Sequence, residues 1–392
     1  MIKIPMSEFE ERISKIKNRM AVEKIDAMFV YGDEYRKENL RYVSNFWPIF
    51  EKGALLFGRQ NEPVLLCAPE GELVAHEMSV WKDIRLVPDF LCVTVPDEID
   101  FPHAKYTDFK KLAAGLHEQG EVKKLGIIGM DAMSGTLLNT LKEAFGCEVV
   151  DSNPIIFNLR ATKSKNEIAC MREAGRIAEK GYRAMMEADV IGKTELHAAG
   201  IAEGTARQEG AESIIFTVFG SGERSAKIIG RPTGKIIEDG DMIMCALAVQ
   251  YEGYVATYEL PYAVGNVSEK TKRVIDVLIR AGAAGYPYLK AGTPMKDFVK
   301  AVRGYFRKEG LEEYDVYPPL HGAGCAEAES PYPNENTEAV FEEGMVVNTD
   351  ISLFGLEGGS NRVEEGFIIT KDGAETLYPY MREYYENWLK NG

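Results

Sequence analysis

The sequence predicts two domains of different class, an α/β domain over residues 1–158 and an α+β domain over residues 159–392. Up to about residue 150, short apolar runs alternate with charged amphipathic segments, as in α/β domains. Asn153-Pro154 is a turn signal at the point where this pattern changes. Long amphipathic helices and hairpin-like strand pairs follow, and the chain is long enough for two medium domains.

The first domain is predicted to begin with a helix over residues 7–23. Ser7 and Glu10 have the spacing of a capping box, and apolar residues follow at helical intervals. Short apolar runs bounded by polar residues then indicate buried strands. We expect strands at 27–31, 53–57, 64–68 and 125–129, and a helix at 134–145.

The second domain opens with a long amphipathic helix, because apolar residues recur in steps of three and four from Ile168 to Met185. Further helices are expected at 193–209, 268–289 and 294–309, and strands within 241–250, 253–264, 344–354 and 363–373.

Charge and cysteine usage narrow the partners and the compartment. With 61 acidic and 46 basic residues the formal net charge is −15, which argues against nucleic acid and anionic membranes as partners. No stretch approaches the roughly 18 uncharged apolar residues of a membrane helix. The six cysteines form no C-x-x-C pair, which indicates free thiols, and we expect a cytoplasmic protein.

Acidic residues inside strand-like segments are the first candidates for a site. Thr257 and Glu259 are two apart on one strand and therefore share a face. Glu259 is either a glutamate at a solvated strand edge or an inward carboxylate. Asp350 falls within an apolar strand and Glu364 opens another, and buried acids require partners or a function. For Glu365 the ordinary expectation is exposure at a strand edge.

His321 is the main candidate for proton transfer. It lies in the glycine-flanked segment LHGAG (320–324) and not on a helix face. An imidazole titrates near neutral pH, so it suits general acid–base chemistry. A structural histidine is the alternative.

Several motifs follow in order the landmarks of a known superfamily. RATKSKNEI (160–168), GSGERSA (220–226), LHGAG, GMVV (344–347) and RVEEG (362–366) resemble those of the creatinase, prolidase and methionine aminopeptidase superfamily, in its creatinase and Xaa-Pro peptidase branch. The resemblance implies a creatinase-like α/β N-terminal domain, a C-terminal pita-bread domain and a homodimer.

The resemblance also implies where metal ligands would stand. Metal-dependent members use five, and these positions fall on Ala246, Thr257, His321, Asp350 and Glu364. Because two of them carry no carboxylate, a two-ion site lacks its bridging acids, and we expect no metal cofactor. A single weakly held ion is the alternative. Two further histidine positions of the peptidases fall on Ile229 and Ala328.

We therefore expect a metal-independent, creatinase-like hydrolase that cleaves a C–N bond of a small cationic, guanidino or amino-acid-like substrate. Its catalytic residues would be His321, Asp350 and Glu364. Its substrate-binding residues would be Glu259, Thr257, Tyr258, Arg362, Arg231 and Arg41. A noncatalytic binding protein and a metal-dependent Xaa-Pro dipeptidase or aminopeptidase are the alternatives.

Overall fold

The computed structural model describes residues 2–92, 101–118 and 120–391. These residues form two compact units, one from Ile4–Arg160 and the other from residues 2–3 together with Ala161 onward. The first is α/β and the second is α+β, so the predicted fold classes are confirmed.

The N-terminal unit is built on a mixed six-stranded sheet with the order β4-β3-β2-β1-β5-β6. Strand β1 pairs antiparallel with β2 and parallel with β5. Its strands are β1 (Ala27–Gly32), β2 (Gly53–Gly58), β3 (Val64–Cys67), β4 (Ile84–Leu86), β5 (Lys124–Ile128) and β6 (Glu148–Asp151). Its helices are α1 (Met6–Glu23), α2 (Glu38–Ser44), α3 (Glu72–Met78), α4 (Phe109–His117), α5 (Gly135–Phe145) and α6 (Asn153–Ala161).

An aromatic cluster lies at the centre of this unit. The rings of Phe29, Phe90 and Phe109 meet edge to face, with centroids 5.9 to 6.5 Å apart. All three are buried among the aliphatic residues that the strand-like runs contribute. Edge-to-face contacts of this kind add to the free energy gained by burial.

The C-terminal unit contains two small antiparallel sheets and a two-stranded pair. Its strands are β7 (Ser213–Ser221), β8 (Met242–Tyr251), β9 (Tyr254–Tyr258), β10 (Tyr262–Ala263), β11 (Leu320–Gly322), β12 (Val346–Thr349), β13 (Ile351–Leu353), β14 (Asn361–Val363), β15 (Gly366–Ile369) and β16 (Ala374–Thr376). Its helices are α7 (Lys165–Glu187), α8 (Glu195–Gln208), α9 (Glu269–Gly285), α10 (Met295–Glu309) and α11 (Pro379–Asn391).

Close packing of helices on β8 fixes the frame that holds the site. Gly181 on α7 has no room for a side chain, since a Cβ there would lie 2.7 Å from the Ala202 carbonyl of α8 and 3.0 Å from Leu247 of β8. Helix α7 begins with a capping box between Ser164 and Glu167. The missing side chain at Gly181 therefore lets α7 pack closely on both α8 and β8.

The predicted helices and strands are confirmed within a few residues, and two local predictions are wrong. Helix α1 begins at Met6 after Pro5, without a side-chain cap, so Ser7 and Glu10 form no capping box. Glu365 is fully buried and bonded, not exposed at a strand edge. No helix among the described residues combines the length and apolarity needed to cross a membrane.

Candidate active site

Backbone pairing brings the predicted acids together in the C-terminal unit. The Glu259 amide donates to the Glu364 carbonyl at 3.3 Å, and the Glu364 amide donates to the Glu259 carbonyl at 3.0 Å. Asp350 lies between β12 and β13, where its amide donates to the Pro319 carbonyl at 2.9 Å, beside the start of β11, which carries His321. The backbone therefore brings the segments that carry His321, Asp350, Glu259 and Glu364 together.

Strand alternation decides which residues of β9 contribute. Thr257 and Glu259 share one face, and Tyr258 lies on the other. The Tyr258 ring packs between Tyr182 and Tyr378, at centroid distances of 4.8 and 4.9 Å. Tyr258 therefore belongs to an aromatic core and does not join the other predicted substrate-binding residues.

Ala246 lies beneath this cluster. In the antiparallel pairing of β8 with β9, Leu247 is opposite Tyr258. Continuing that register by one residue places Ala246 opposite Glu259. Ala246 and Glu259 are both buried.

Arg362 is a buried cation inside the acidic cluster. Its Nε lies 3.3 Å from Asp350 Oδ1 and 3.4 Å from Glu259 Oε2, and its Nη1 lies 4.0 Å from Glu364 Oε1. Its Nη2 donates to the Ile228 carbonyl at 3.1 Å. Arg362 therefore compensates the charge of acids that burial would otherwise disfavour.

His321 faces two further carboxylates. Its Nδ1 lies 2.9 Å from the Gly322 carbonyl, to which it donates, so Nε2 carries the lone pair of the neutral ring. Nε2 lies 3.7 Å from Glu327 Oε1 and 3.9 Å from Glu364 Oε1. Glu327 Oε1 also accepts a hydrogen bond from the Thr257 hydroxyl at 3.1 Å.

Glu327 is the site residue that sequence reasoning missed. It lies in an irregular loop after β11, where no periodicity indicates which side chains point inward. The one available signal is its position six residues after His321, in a loop that also contains Glu329.

The pKa values in the cluster are strongly shifted. Burial raises the pKa of Asp350 to about 7 against the opposing effect of Arg362. Burial also raises the pKa of Glu259 well above its usual range. For His321 burial acts to lower the pKa, but the nearby carboxylates, Glu364 first, outweigh it and raise the pKa to about 9. Loss of hydration thus decides the direction for the two acids, and the surrounding carboxylates decide it for His321.

A cavity of about 560 Å³ opens beside the cluster. It is lined by Phe216, Thr217, Val218, Ile229, Gly230, Arg231, Tyr317, Pro318, His321, Glu327, Ala328, Tyr332, Asp350, Arg362 and Glu364. Arg231 is exposed, whereas Glu259 is fully buried and reaches the cluster through Arg362. Arg41 belongs to the N-terminal unit, where its guanidinium lies 5.5 Å from the Trp47 ring centre.

Comparison with known protein families identifies the larger unit. The model of metallopeptidase family M24 matches residues 169–371, slightly more than half of the chain. This chain belongs to metallopeptidase family M24. The creatinase/prolidase N-terminal domain matches residues 12–162.

Individual relatives agree with the family. An Xaa-Pro dipeptidase of Pyrococcus horikoshii is 28% identical over 379 residues, covering 96% of this chain and 99% of the relative. An Xaa-Pro dipeptidase of Pyrococcus furiosus is 28% identical over 299 residues, covering 76% and 84%. The crystal structure of the Pyrococcus horikoshii prolidase superposes with a TM-score of 0.80 at 25% identity, covering 94% of this chain and 97% of that one.

These findings confirm the superfamily, the pita-bread fold with its creatinase-like N-terminal domain, and a hydrolase as the class of enzyme. They contradict two expectations. A metal-independent, creatinase-like hydrolase is the wrong assignment, because the relatives are Xaa-Pro dipeptidases. The expectation of no cofactor is also wrong, because the family is one of metallopeptidases. Counting ligands by position overlooked an acid that reaches the site from another loop.

The residues present fit one divalent cation. Ala246 and Thr257 leave the five-position ligand pattern incomplete. Nevertheless, one donor atom each of His321, Glu327 and Glu364 lies within 4.8 Å of the other two. Within the described part of the chain, the buried Glu364 Oε2 has no hydrogen-bond partner, and neither do Glu259 Oε1 and Oε2 and Asp350 Oδ1 beside Arg362. Three protein ligands with further positions open is the arrangement of catalytic metal sites.

Proposed function

We propose that this chain is a metal-dependent Xaa-Pro dipeptidase, a hydrolase that cleaves the peptide bond before a C-terminal proline in very short peptides. The observation that carries the proposal is the convergence of His321, Glu327 and Glu364 at the edge of a cavity, in a chain of a metallopeptidase family. Two relatives that are Xaa-Pro dipeptidases support the choice of substrate.

The cavity has the size and chemistry for a dipeptide. Its volume of about 560 Å³ lies in the range of small-ligand sites. Phe216, Tyr317 and Tyr332 offer aromatic surface against which an apolar proline ring can pack. Arg231 is exposed at the same cavity and can pair with the terminal carboxylate of the substrate.

The chain's own residues would hold the cation and keep the site in order. A bound divalent ion would supply Lewis acidity and lower the pKa of water. The Nε2 lone pair of His321 is directed by the Nδ1 hydrogen bond to the Gly322 carbonyl, as is typical of metal-binding histidines. Arg362 compensates the negative charge of Asp350 and Glu259, which are buried beside the proposed ligands.

The test is hydrolysis of a matched set of dipeptides. Ala-Pro, Pro-Ala and Ala-Ala are incubated with protein that has been stripped by a chelator and then supplied with Mn²⁺, Co²⁺ or Zn²⁺. We expect free proline from Ala-Pro only after a metal is restored, and far slower hydrolysis of the other two. Absence of hydrolysis with every metal, or hydrolysis that the chelator does not affect, contradicts the proposal.

A matched pair of variants assigns the activity to this site. His321→Ala should abolish the release of proline, since it removes the nitrogen donor. His197→Ala should leave it unchanged, because His197 is exposed on α8. Equal activity of the two variants would place the reaction elsewhere.

We further propose that the protein is a homodimer of the cytoplasm. The superfamily resemblance supports the dimer, and light scattering coupled to gel filtration measures it. The structure describes all six cysteines and joins no two of them in a disulfide, which supports a reducing compartment. Cell fractionation tests the location.

A further inference from the structure

We infer that the site is built for one divalent cation, with Glu327 as a ligand, and that the Arg362 guanidinium holds the place a second cation would need. The use of this ion in hydrolysis rests on the proposed function, whereas the binding of the ion does not. It follows from how the acids of the cluster divide between His321 and Arg362.

The acids fall into two groups, and Glu364 lies between the two because its Oε1 is also 4.0 Å from Arg362 Nη1. Glu327 and Glu364 face His321 Nε2 and form the three-donor set. Glu259 and Asp350 face Arg362 Nε, at 3.4 and 3.3 Å. A second ion bound by Glu259 and Asp350 would need their oxygens at about 2.0–2.6 Å. It would therefore lie next to a buried guanidinium whose charge it repels.

Arg362 is held too firmly to leave. Its guanidinium carbon lies 5.0 Å from the centre of the Tyr317 ring, and its Nη2 donates to the Ile228 carbonyl. Only 8% of its side chain is exposed. A buried guanidinium with ring and carbonyl contacts keeps one conformation, since moving it away would leave Glu259 and Asp350 uncompensated.

Glu327 is fixed from both sides of its loop. The Thr257 hydroxyl donates to Oε1 at 3.1 Å, from a position on β9 that has no carboxylate of its own. Two residues further along, Glu329 forms a buried ion pair with Lys163, with Nζ 2.9 Å from Oε1. The Glu329 amide also donates to the Gly322 carbonyl at 2.9 Å, next to His321. The loop thus presents Glu327 to the histidine in a defined place.

The distribution of acids along the chain explains why the second carboxylate ligand of the ion comes from a loop. The strand positions Ala246 and Thr257 carry no acid, and Glu259, which directly follows β9, is paired with Arg362. Glu327 is the one additional carboxylate that the described residues bring within reach of His321 and Glu364.

The experiment is Mn²⁺ titration of the full chain, with free Mn²⁺ followed by electron paramagnetic resonance and bound metal checked by elemental analysis. We expect one Mn²⁺ per chain. Glu327→Gln should weaken binding by about 100-fold or more, since loss even of groups that only orient a ligand costs 10–100-fold. Glu335→Gln is the matched control, because Glu335 pairs with Arg307 at the surface, and it should bind like the wild type. Two ions per wild-type chain, or unchanged binding by Glu327→Gln, overturns the inference.

A second variant tests the part assigned to Arg362 and does not depend on Glu327→Gln folding well. Arg362→Met leaves Glu259 and Asp350 without a cation, so a second Mn²⁺ should bind at higher concentration. A stoichiometry that stays at one overturns the role of Arg362. The Mn²⁺ titration contains no peptide, so it is independent of the dipeptide assay. A protein that binds one ion but does not hydrolyse Ala-Pro would refute the proposed function and would leave the one-cation site unaffected.

Discussion

Replacing Arg362 by methionine should cost the metal-free protein about 3–5 kcal/mol of unfolding free energy. The side chain keeps its apolar stem but loses the cation that lies 3.3 Å from Asp350 and 3.4 Å from Glu259. With an effective dielectric constant near 20, each of these contacts has a Coulomb energy of about 5 kcal/mol. Desolvation offsets part of it, and breaking buried pairs on one side costs about 3–5 kcal/mol in measured cases.

The assay is urea denaturation at pH 8 in the presence of a chelator, followed by circular dichroism. Arg176→Met is the control, since Arg176 pairs with Glu173 and Glu209 and its side chain is 39% exposed. Such surface pairs contribute about 0–1 kcal/mol. The double variant Arg362→Met/Glu259→Gln should recover part of the loss, because it removes one of the two buried carboxyl groups that Arg362 compensates. An Arg362→Met variant as stable as Arg176→Met would refute the reasoning about this ion pair.

Three further outcomes follow from other parts of the structure. Glu195 is fully buried and bonded to two hydroxyl groups and an arginine, and these hydrogen bonds lower its pKa against the opposing effect of burial. The stability that ionised Glu195 contributes is therefore present above the pKa of an unfolded glutamate and is lost as the pH falls. Glu195→Gln should destabilise the protein by about 2 kcal/mol at pH 7 and by less at pH 4. An equal shift of the urea midpoint at both pH values contradicts this. Burial raises the pKa of Cys67 to about 12, so a thiol reagent at pH 8 should modify Cys147, the one cysteine that is not fully buried, before Cys67, and mass spectrometry of the modified peptides decides the order. Lys163→Met breaks the buried pair with Glu329 and should weaken Mn²⁺ binding about 10-fold through the loop it anchors, whereas unchanged affinity in the titration above would show that the loop needs no anchor.

Much of the fold could be read from the sequence because hydrophobic periodicity reports burial directly. The uncharged run from Ala27 became a central strand, and the three-and-four pattern from Ile168 became α7. The helix cap at Ser7 failed because a cap depends on the path of the chain before the helix, and here Pro5 takes that position. Ser164 and Glu167 have the same spacing and do form the box.

The site was partly predictable for the same reason. His321, Asp350 and Glu364 each stand where a polar residue interrupts apolar sequence, and the structure brings them together. Strand alternation could have excluded Tyr258, since Thr257 and Glu259 define the opposite face. Glu327 could not be found in this way, because a loop has no period and its side chains are directed by contacts such as the Thr257 hydrogen bond.

The expectation of a metal-free site failed through its treatment of charge. Losing acids at Ala246 and Thr257 reduces the number of ligands, but it does not remove negative charge from a cluster that regains it at Glu259 and Glu327. The substitutions change which positive group each acid pairs with. That pairing depends on distances between side chains, which cannot be read from the sequence.

Anomalous diffraction from crystals grown with Mn²⁺ tests the central claim most directly. We predict a single manganese peak bounded by His321, Glu327 and Glu364, with the Arg362 guanidinium still against Asp350 and Glu259. Two manganese peaks, or one that lies away from Glu327, would contradict the one-cation site.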